Sequence, residues 1–85
     1  MGRVDKLKAR LLAKPKDFTY AEAKTLLQNL GFEEKTKGRT SGSRMKFFRE
    51  SDTRIFLLHK PHPENCLKGY SVRELIDFLK EIGEL

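Results

Sequence analysis

Two runs rich in Phe, Ile and Leu, Arg44 to Glu50 and Thr53 to His59, flank Ser51-Asp52, and this spacing limits the fold more than any other feature. Each run reads as a β-strand and the polar break as a hairpin turn. A two-residue loop, or a symmetric four-residue one, gives the same register. On one face Met45 then meets Leu58, Phe47 meets Phe56, and Arg49 meets Arg54. On the other, Arg44 meets His59, Lys46 meets Leu57, and Phe48 meets Ile55. A one-residue slip would turn the first, nearly apolar set into water, so that face belongs against helices. The second face sets a cation directly across from a histidine.

The flanking segments supply those helices. Val4, Leu7, Leu11 and Leu12 recur at helical spacing before Pro15, which ends the segment because it disfavours helix in the preceding residue and donates no N–H. Thr19 and Glu22 form a capping box ahead of the stripe Ala23, Leu26, Leu27 and Leu30, and Gly31 stands at the left-handed stop. Phe32 to Lys37 reads as a short strand and Gly38 to Gly42 as a flexible loop. Pro61-His62-Pro63 excludes a continuing central strand. A last helix is expected with Ser71 as N-cap, Glu74 three residues on, and Tyr70 stapled to Leu75; Val72, Leu75, Ile76, Leu79 and Ile82 form its buried face and Gly83 its end. The order is α, α, three antiparallel strands, α: an α+β fold with helices on one face of the sheet. Residues 1–17 read as an N-terminal helical arm and linker, and 18–85 as the domain proper.

At 85 residues the chain is one domain with a small core, which argues against a large buried substrate pocket. No apolar run approaches the roughly 18–20 residues that span a bilayer, and the start lacks a signal-like apolar region, so no membrane partner is expected and the expected location is the cytoplasm. Charge says more. Residues 35–60 carry eight basic side chains against Glu50 and Asp52, an excess equal to the whole net charge of +6. Such a concentrated field suits a polyanion, because each phosphate contact releases condensed counterions. A solvated basic face kept for solubility is the plainer alternative.

RNA cleavage without a metal needs a base for the 2′-hydroxyl, cations for the crowded phosphorane and an acid for the leaving 5′-oxygen. His59, facing Arg44 with Lys46 and Lys60 nearby, gathers a proton-transfer group and charge stabilisers on one surface. An ordinary strand-end histidine is the plainer reading of His59, and a rigid loop residue that of His62. Lys35, Lys37, Arg39 and Ser43 add phosphate donors around the Gly38–Gly42 loop. His59, His62 and Cys66 have the spacing of three zinc ligands, but no fourth Cys or His completes a structural site, and no metal or other cofactor is expected. Cys66 alone reads as a small half-buried apolar residue.

Several of these segments occur together in a known family. Leu27-Gln28-Asn29-Leu30-Gly31-Phe32, a strand opening with Gly42-Ser43, a strand ending in Leu58-His59, then Val72-Arg73-Glu74-Leu75-Ile76 and Leu79-Lys80-Glu81-Ile82-Gly83, in that order, resemble the HicA toxins of prokaryotic type II toxin–antitoxin systems from about Thr19 onward. The resemblance implies a fold like the double-stranded RNA-binding domain, messenger-RNA cleavage that arrests growth, and neutralisation in a complex with a HicB-type antitoxin. The family pattern has Gly-Ser-His, with that histidine catalytic, where this chain has Gly42-Ser43-Arg44. Arginine stays charged and does not shuttle protons at neutral pH. Three outcomes follow: His59 transfers protons with Arg44 as phosphate clamp; the chain binds RNA without cutting it; or it belongs to a subgroup built around Ser43-Arg44 and the His59–Pro63 segment. A non-catalytic double-stranded-RNA-binding module and a protein-interaction domain meeting an acidic partner are the competing functions. The apolar Phe48, Ile55 and Leu57 beside these cations suit base stacking or burial under the antitoxin, which would mask Arg44, Lys46 and His59.

Overall fold

The computed structural model describes residues 2–35, 44–61 and 65–85. Its elements are α1 (Arg3–Leu12), α2 (Tyr20–Asn29), β1 (Glu33–Lys35), β2 (Arg44–Arg49), β3 (Arg54–His59) and α3 (Gly69–Glu81). The strands form an antiparallel sheet in the order β1-β2-β3. All six expected β2–β3 pairs are present, Arg44 opposite His59 through Arg49 opposite Arg54, joined by the four-residue form of the turn. The fold is α+β, with the helices on one face of a three-stranded sheet and an extra N-terminal helix, as expected of a domain resembling the double-stranded RNA-binding fold.

Alternation divides the strands cleanly. Phe47, Phe56 and Leu58 are buried among Leu26, Leu27, Leu75 and Leu79, while Ile55 and Leu57, one residue out of phase, are 48% and 47% exposed. Phe78 of α3 joins the two layers, stacking on Phe56 at 4.6 Å between ring centroids and meeting Phe32 edge-on at 5.7 Å. The segment read as an arm packs on the domain: Leu11 is fully buried and Leu7 nearly so. Leu12, counted in the apolar stripe of that helix, is instead exposed, because it lies off the line through Val4, Leu7 and Leu11.

Helix ends follow local chemistry where that chemistry is complete. At α2 the Glu22 amide donates to Thr19 Oγ1 at 3.0 Å and the Thr19 amide donates to Glu22 Oε1 at 2.9 Å, the full capping box. Arg10 of α1 donates to the other oxygen of Glu22 at 2.7 Å, tying the two helices together. Gly31 takes φ +97°, and the Phe32 and Gly31 amides return to the Leu27 and Gln28 carbonyls. A Cβ at Gly31 would stand 3.3 Å from Arg49 Cδ, so both the backbone angle and the contact favour glycine. Gly83 closes α3 in the same way.

The start of α3 departs from the expectation. The helix begins at Gly69 with Lys68 as N-cap, and Ser71 lies inside it, buried, its Oγ without a partner among the described residues. The cause is non-local. The Leu67 amide donates to the Phe18 carbonyl and the Tyr20 amide to the Asn65 carbonyl, both at 2.8 Å, around a bridge between Thr19 and Cys66. With Leu67 buried and pinned to the segment before α2, the chain turns into helix at once. Tyr70 therefore falls in the first turn and is exposed, and its expected staple role does not arise.

Arg49 is the one charged side chain buried in the described part. Its Nε and Nη2 donate to the Asp52 carboxylate at 3.0 and 2.6 Å, and Nη1 donates to Glu84 Oε2 at 2.8 Å and to the Leu30 carbonyl at 3.1 Å. The guanidinium lies 4.9 Å over the Phe32 ring. Arg49→Met keeps most of the apolar stem and removes these bonds; it is expected to lower unfolding free energy by about 2 kcal/mol, read from the urea midpoint. Acid should reach the same network. Arg49 holds the Asp52 carboxyl below its ordinary value, Arg10 does so for Glu22, and the Tyr20 hydroxyl, then Lys24, for Glu34. These carboxylates bind protons less readily folded than unfolded, so their stabilisation is present above about pH 4 and is lost as pH falls through the depressed values. The urea midpoint should be flat from about pH 7 to 5 and drop below about pH 4, less steeply in Asp52→Asn.

Candidate nucleic-acid interface

The sheet face opposite the helices carries the candidate site, and the register orders it in rows. Glu33, Phe48 and Ile55 form one row across β1, β2 and β3, and Lys35, Lys46 and Leu57 the next. Arg44 and His59 stand opposite each other at the far end. Directly opposed residues in such a ladder have Cβ atoms about 5 Å apart, within reach of one phosphate group for both side chains. The apolar side chains thus cluster toward the hairpin turn and the cations toward the other end.

The cationic end is electrostatically loaded. Lys35 and Lys46 are directly paired across β1 and β2, a like-charge pairing that disfavours the bare sheet and favours an anion between them. Lys35 has the Glu33 carboxylate 3.7 Å away; Lys46 and His59 are half-buried and Arg44 is exposed. Such an arrangement can hold phosphate oxygens, offer one imidazole for proton transfer, and stack a base or an apolar partner side chain on Leu57 and Ile55.

Beyond the edge of β3 a groove runs along α3. Arg44, Ile55, Leu57, His59 and Tyr70 line one part of it, and Glu74, Asp77 and Glu81 the α3 wall. The carboxylates repel phosphates, so a polyanion at His59 is directed over the sheet or across the first turn of α3, not down the helix. Tyr70 and this acidic wall escaped the sequence reading. The misplaced start of α3 concealed Tyr70, and a helix face with three carboxylates reads locally as ordinary solvated surface.

Of the other expected site residues, Lys60 extends to the opposite side. Its Nζ lies 5.6 Å over the Tyr20 ring, beside the Tyr20 hydroxyl that donates to Glu34 at 2.5 Å. Lys37, Arg39, Ser43 and His62 lie outside the described residues, as does the Gly38–Gly42 loop. Arg49 and Arg54, counted in the basic stretch, are occupied otherwise: Arg49 in its buried network, Arg54 3.9 Å from Glu81. Among the described residues no three of His, Cys, Asp and Glu are grouped to hold a metal ion, and no helix is long and apolar enough to cross a membrane.

An antiparallel sheet backed by helices on one side, with a cationic end and exposed apolar side chains on the other, defines a small α+β domain with one open, amphipathic sheet face. The family model described as the HicA toxin of bacterial toxin–antitoxin matches residues 20–83, from the first residue of α2 to the glycine that closes α3. That span is most of the chain, and the protein belongs to this family, the toxin half of a toxin–antitoxin pair. Neither a curated protein nor a solved structure matches the chain.

Proposed function

We propose that the protein is an endoribonuclease acting in the cytoplasm, cleaving messenger RNA on the open sheet face, and that a HicB-type antitoxin silences it by covering that face. The observation that carries this reading is the Arg44–His59 pair at the cationic end of the sheet, in a chain of the HicA toxin family. In the proposed reaction, the His59 imidazole takes the 2′-hydroxyl proton as O2′ bonds to phosphorus. Arg44 and Lys46 bear the charge of the phosphorane, and the His59 imidazolium returns the proton to the 5′-oxygen as the P–O5′ bond breaks. The products are a 2′,3′-cyclic phosphate and a 5′-hydroxyl, and the enzyme ends in its starting protonation state. No step calls for a metal ion. Lys35, Lys37, Arg39, Ser43, Lys60 and His62 are proposed to contact RNA around this centre, Lys60 from the Tyr20 side of the sheet.

Arg44 stands where the family pattern has its catalytic histidine, and this favours a second reading in which the face holds RNA without cutting it. One assay separates the two. Purified protein should cleave a labelled messenger RNA in excess EDTA, with His59→Ala losing at least about 100-fold in rate, the scale of general acid–base catalysis. Arg44→Ala should lose a similar factor through lost transition-state charge stabilisation. Intact RNA with the parent protein, despite salt-sensitive binding, establishes the non-cleaving reading.

The antitoxin half of the proposal rests on the exposed Ile55 and Leu57 beside the cations, since apolar side chains grouped at the surface and rimmed by charge mark protein interaction sites. Lys46→Glu combined with Leu57→Glu should weaken the complex with the cognate antitoxin by roughly tenfold or more, measured by calorimetry. Unchanged affinity would place the antitoxin elsewhere on the molecule.

A further inference from the structure

Among the described residues, a cleft between the α1–α2 connection and the first turn of α3 carries charge of one sign. Lys14, Pro15 and Lys16 form one wall; Lys68, Gly69 and Arg73 form the other, over a floor of Leu67 and Val72. Four cations line it, with no carboxylate among the lining residues. None of the four has an ion pair among the described residues; the same holds of Lys6 and Lys80, but those two do not line the cleft. Grouped like charges without counter-charge raise the energy of the folded chain, and an anion relieves it.

The helix end in the cleft reinforces this charge. The Lys68 N-cap provides no side-chain acceptor, and the first turn of α3 holds no acidic residue. Arg73 folds back over that turn, with Nη1 3.5 Å from where a Cβ on Gly69 would stand. A guanidinium beside the positive end of a helix is an unfavourable placement unless an anion sits between them. Gly69 adds no side chain to that turn, and the Arg73 guanidinium covers its Cβ side, so a phosphate oxygen arriving there meets the guanidinium.

The cleft and the proposed cleavage site meet at adjacent residues. Tyr70 lines the groove with Arg44 and His59, and Gly69 lines the cleft. Lys14 and Lys16 precede the segment matched by the family model, so half of the cleft's charge comes from outside it.

We propose that this cleft is a second RNA-backbone site, holding phosphates of the strand engaged at His59 after it crosses the first turn of α3. The inference rests on the reading of the open face as an RNA site. It makes α1 and its linker part of the substrate-binding surface and lengthens the footprint beyond the nucleotides at the scissile bond.

The test is anisotropy with the full chain and a fully 2′-O-methylated single-stranded RNA of about 20 nucleotides, which offers no 2′-hydroxyl for attack, at about 50 to 200 mM KCl. Lys14→Gln/Lys16→Gln and Lys68→Gln/Arg73→Gln should each weaken binding by roughly tenfold and flatten the slope of log affinity against log salt by about 1 to 2. A control pair removing the same charge elsewhere, Lys6→Gln/Lys80→Gln, should change both far less. Losses equal to the control pair, or no loss, with the parent still binding, overturn the cleft as a site. A parent that fails to bind at the lowest salt instead overturns the RNA reading of the sheet face. Unchanged circular dichroism and urea midpoints in the cleft variants confirm that binding, not folding, is being read.

Discussion

The Arg49 guanidinium gathers three parts of the chain that are distant in sequence: the β2–β3 turn through Asp52, the end of α2 through the Leu30 carbonyl, and the C-terminal turn through Glu84. Arg49 is the last residue of β2, so its bidentate hold on Asp52 also fixes where the hairpin reverses. The other pairs in the hairpin follow from that point, including Arg44 opposite His59 at the far end. A buried ion network adds less net stability than its bond count suggests, because both partners are desolvated. Its effect here is positional. A slip by one residue would carry Arg49 to the open face and Phe48 to the core, removing the network and the site together.

The division of charge between the faces follows from the same register. Of the described cations between residues 35 and 60, Arg49 is turned toward Asp52 and Glu84, Arg54 toward Glu81 and Lys60 toward Tyr20. Lys35, Arg44 and Lys46 remain on the open face with His59. In the proposed reading the acidic wall of α3 limits where a phosphate chain can go, and the cations at the start of α3, without an ion pair among the described residues, give it a continuation. On that reading the polarity of α3, acidic on the wall that faces the groove and basic at its beginning, shapes a path that the sheet alone would leave open on all sides.

Much of this was legible in the chain because it is local. Alternation on either side of a short polar break determines the hairpin register, and the Thr19–Glu22 box and Gly31 determine both ends of α2. The family followed from the order of several such segments, none decisive alone. What escaped was set by distant partners. Ser71 has the local grammar of an N-cap, but Leu67 is pinned to Phe18, nearly fifty residues earlier, and that starts the helix sooner. Arg49 reads as one more cation of a basic stretch until Glu84 is brought beside it. Tyr70 is hidden by the same non-local start of α3, and the cleft at α3 by the distance in sequence between Lys14 and Arg73.

The central claim is that the open sheet face, organised by the Arg49-anchored hairpin, is where RNA is held. The most direct measurement is a heteronuclear NMR titration of the uniformly labelled protein with a 2′-O-methylated RNA, following backbone amides and the His59 ring. The account predicts that shifts concentrate at Arg44, Lys46, Leu57 and His59, while the outward face of α2, at Ala21, Gln28 and Asn29, stays unmoved. Shifts confined to α2, with β2 and β3 unperturbed at saturation, would contradict it.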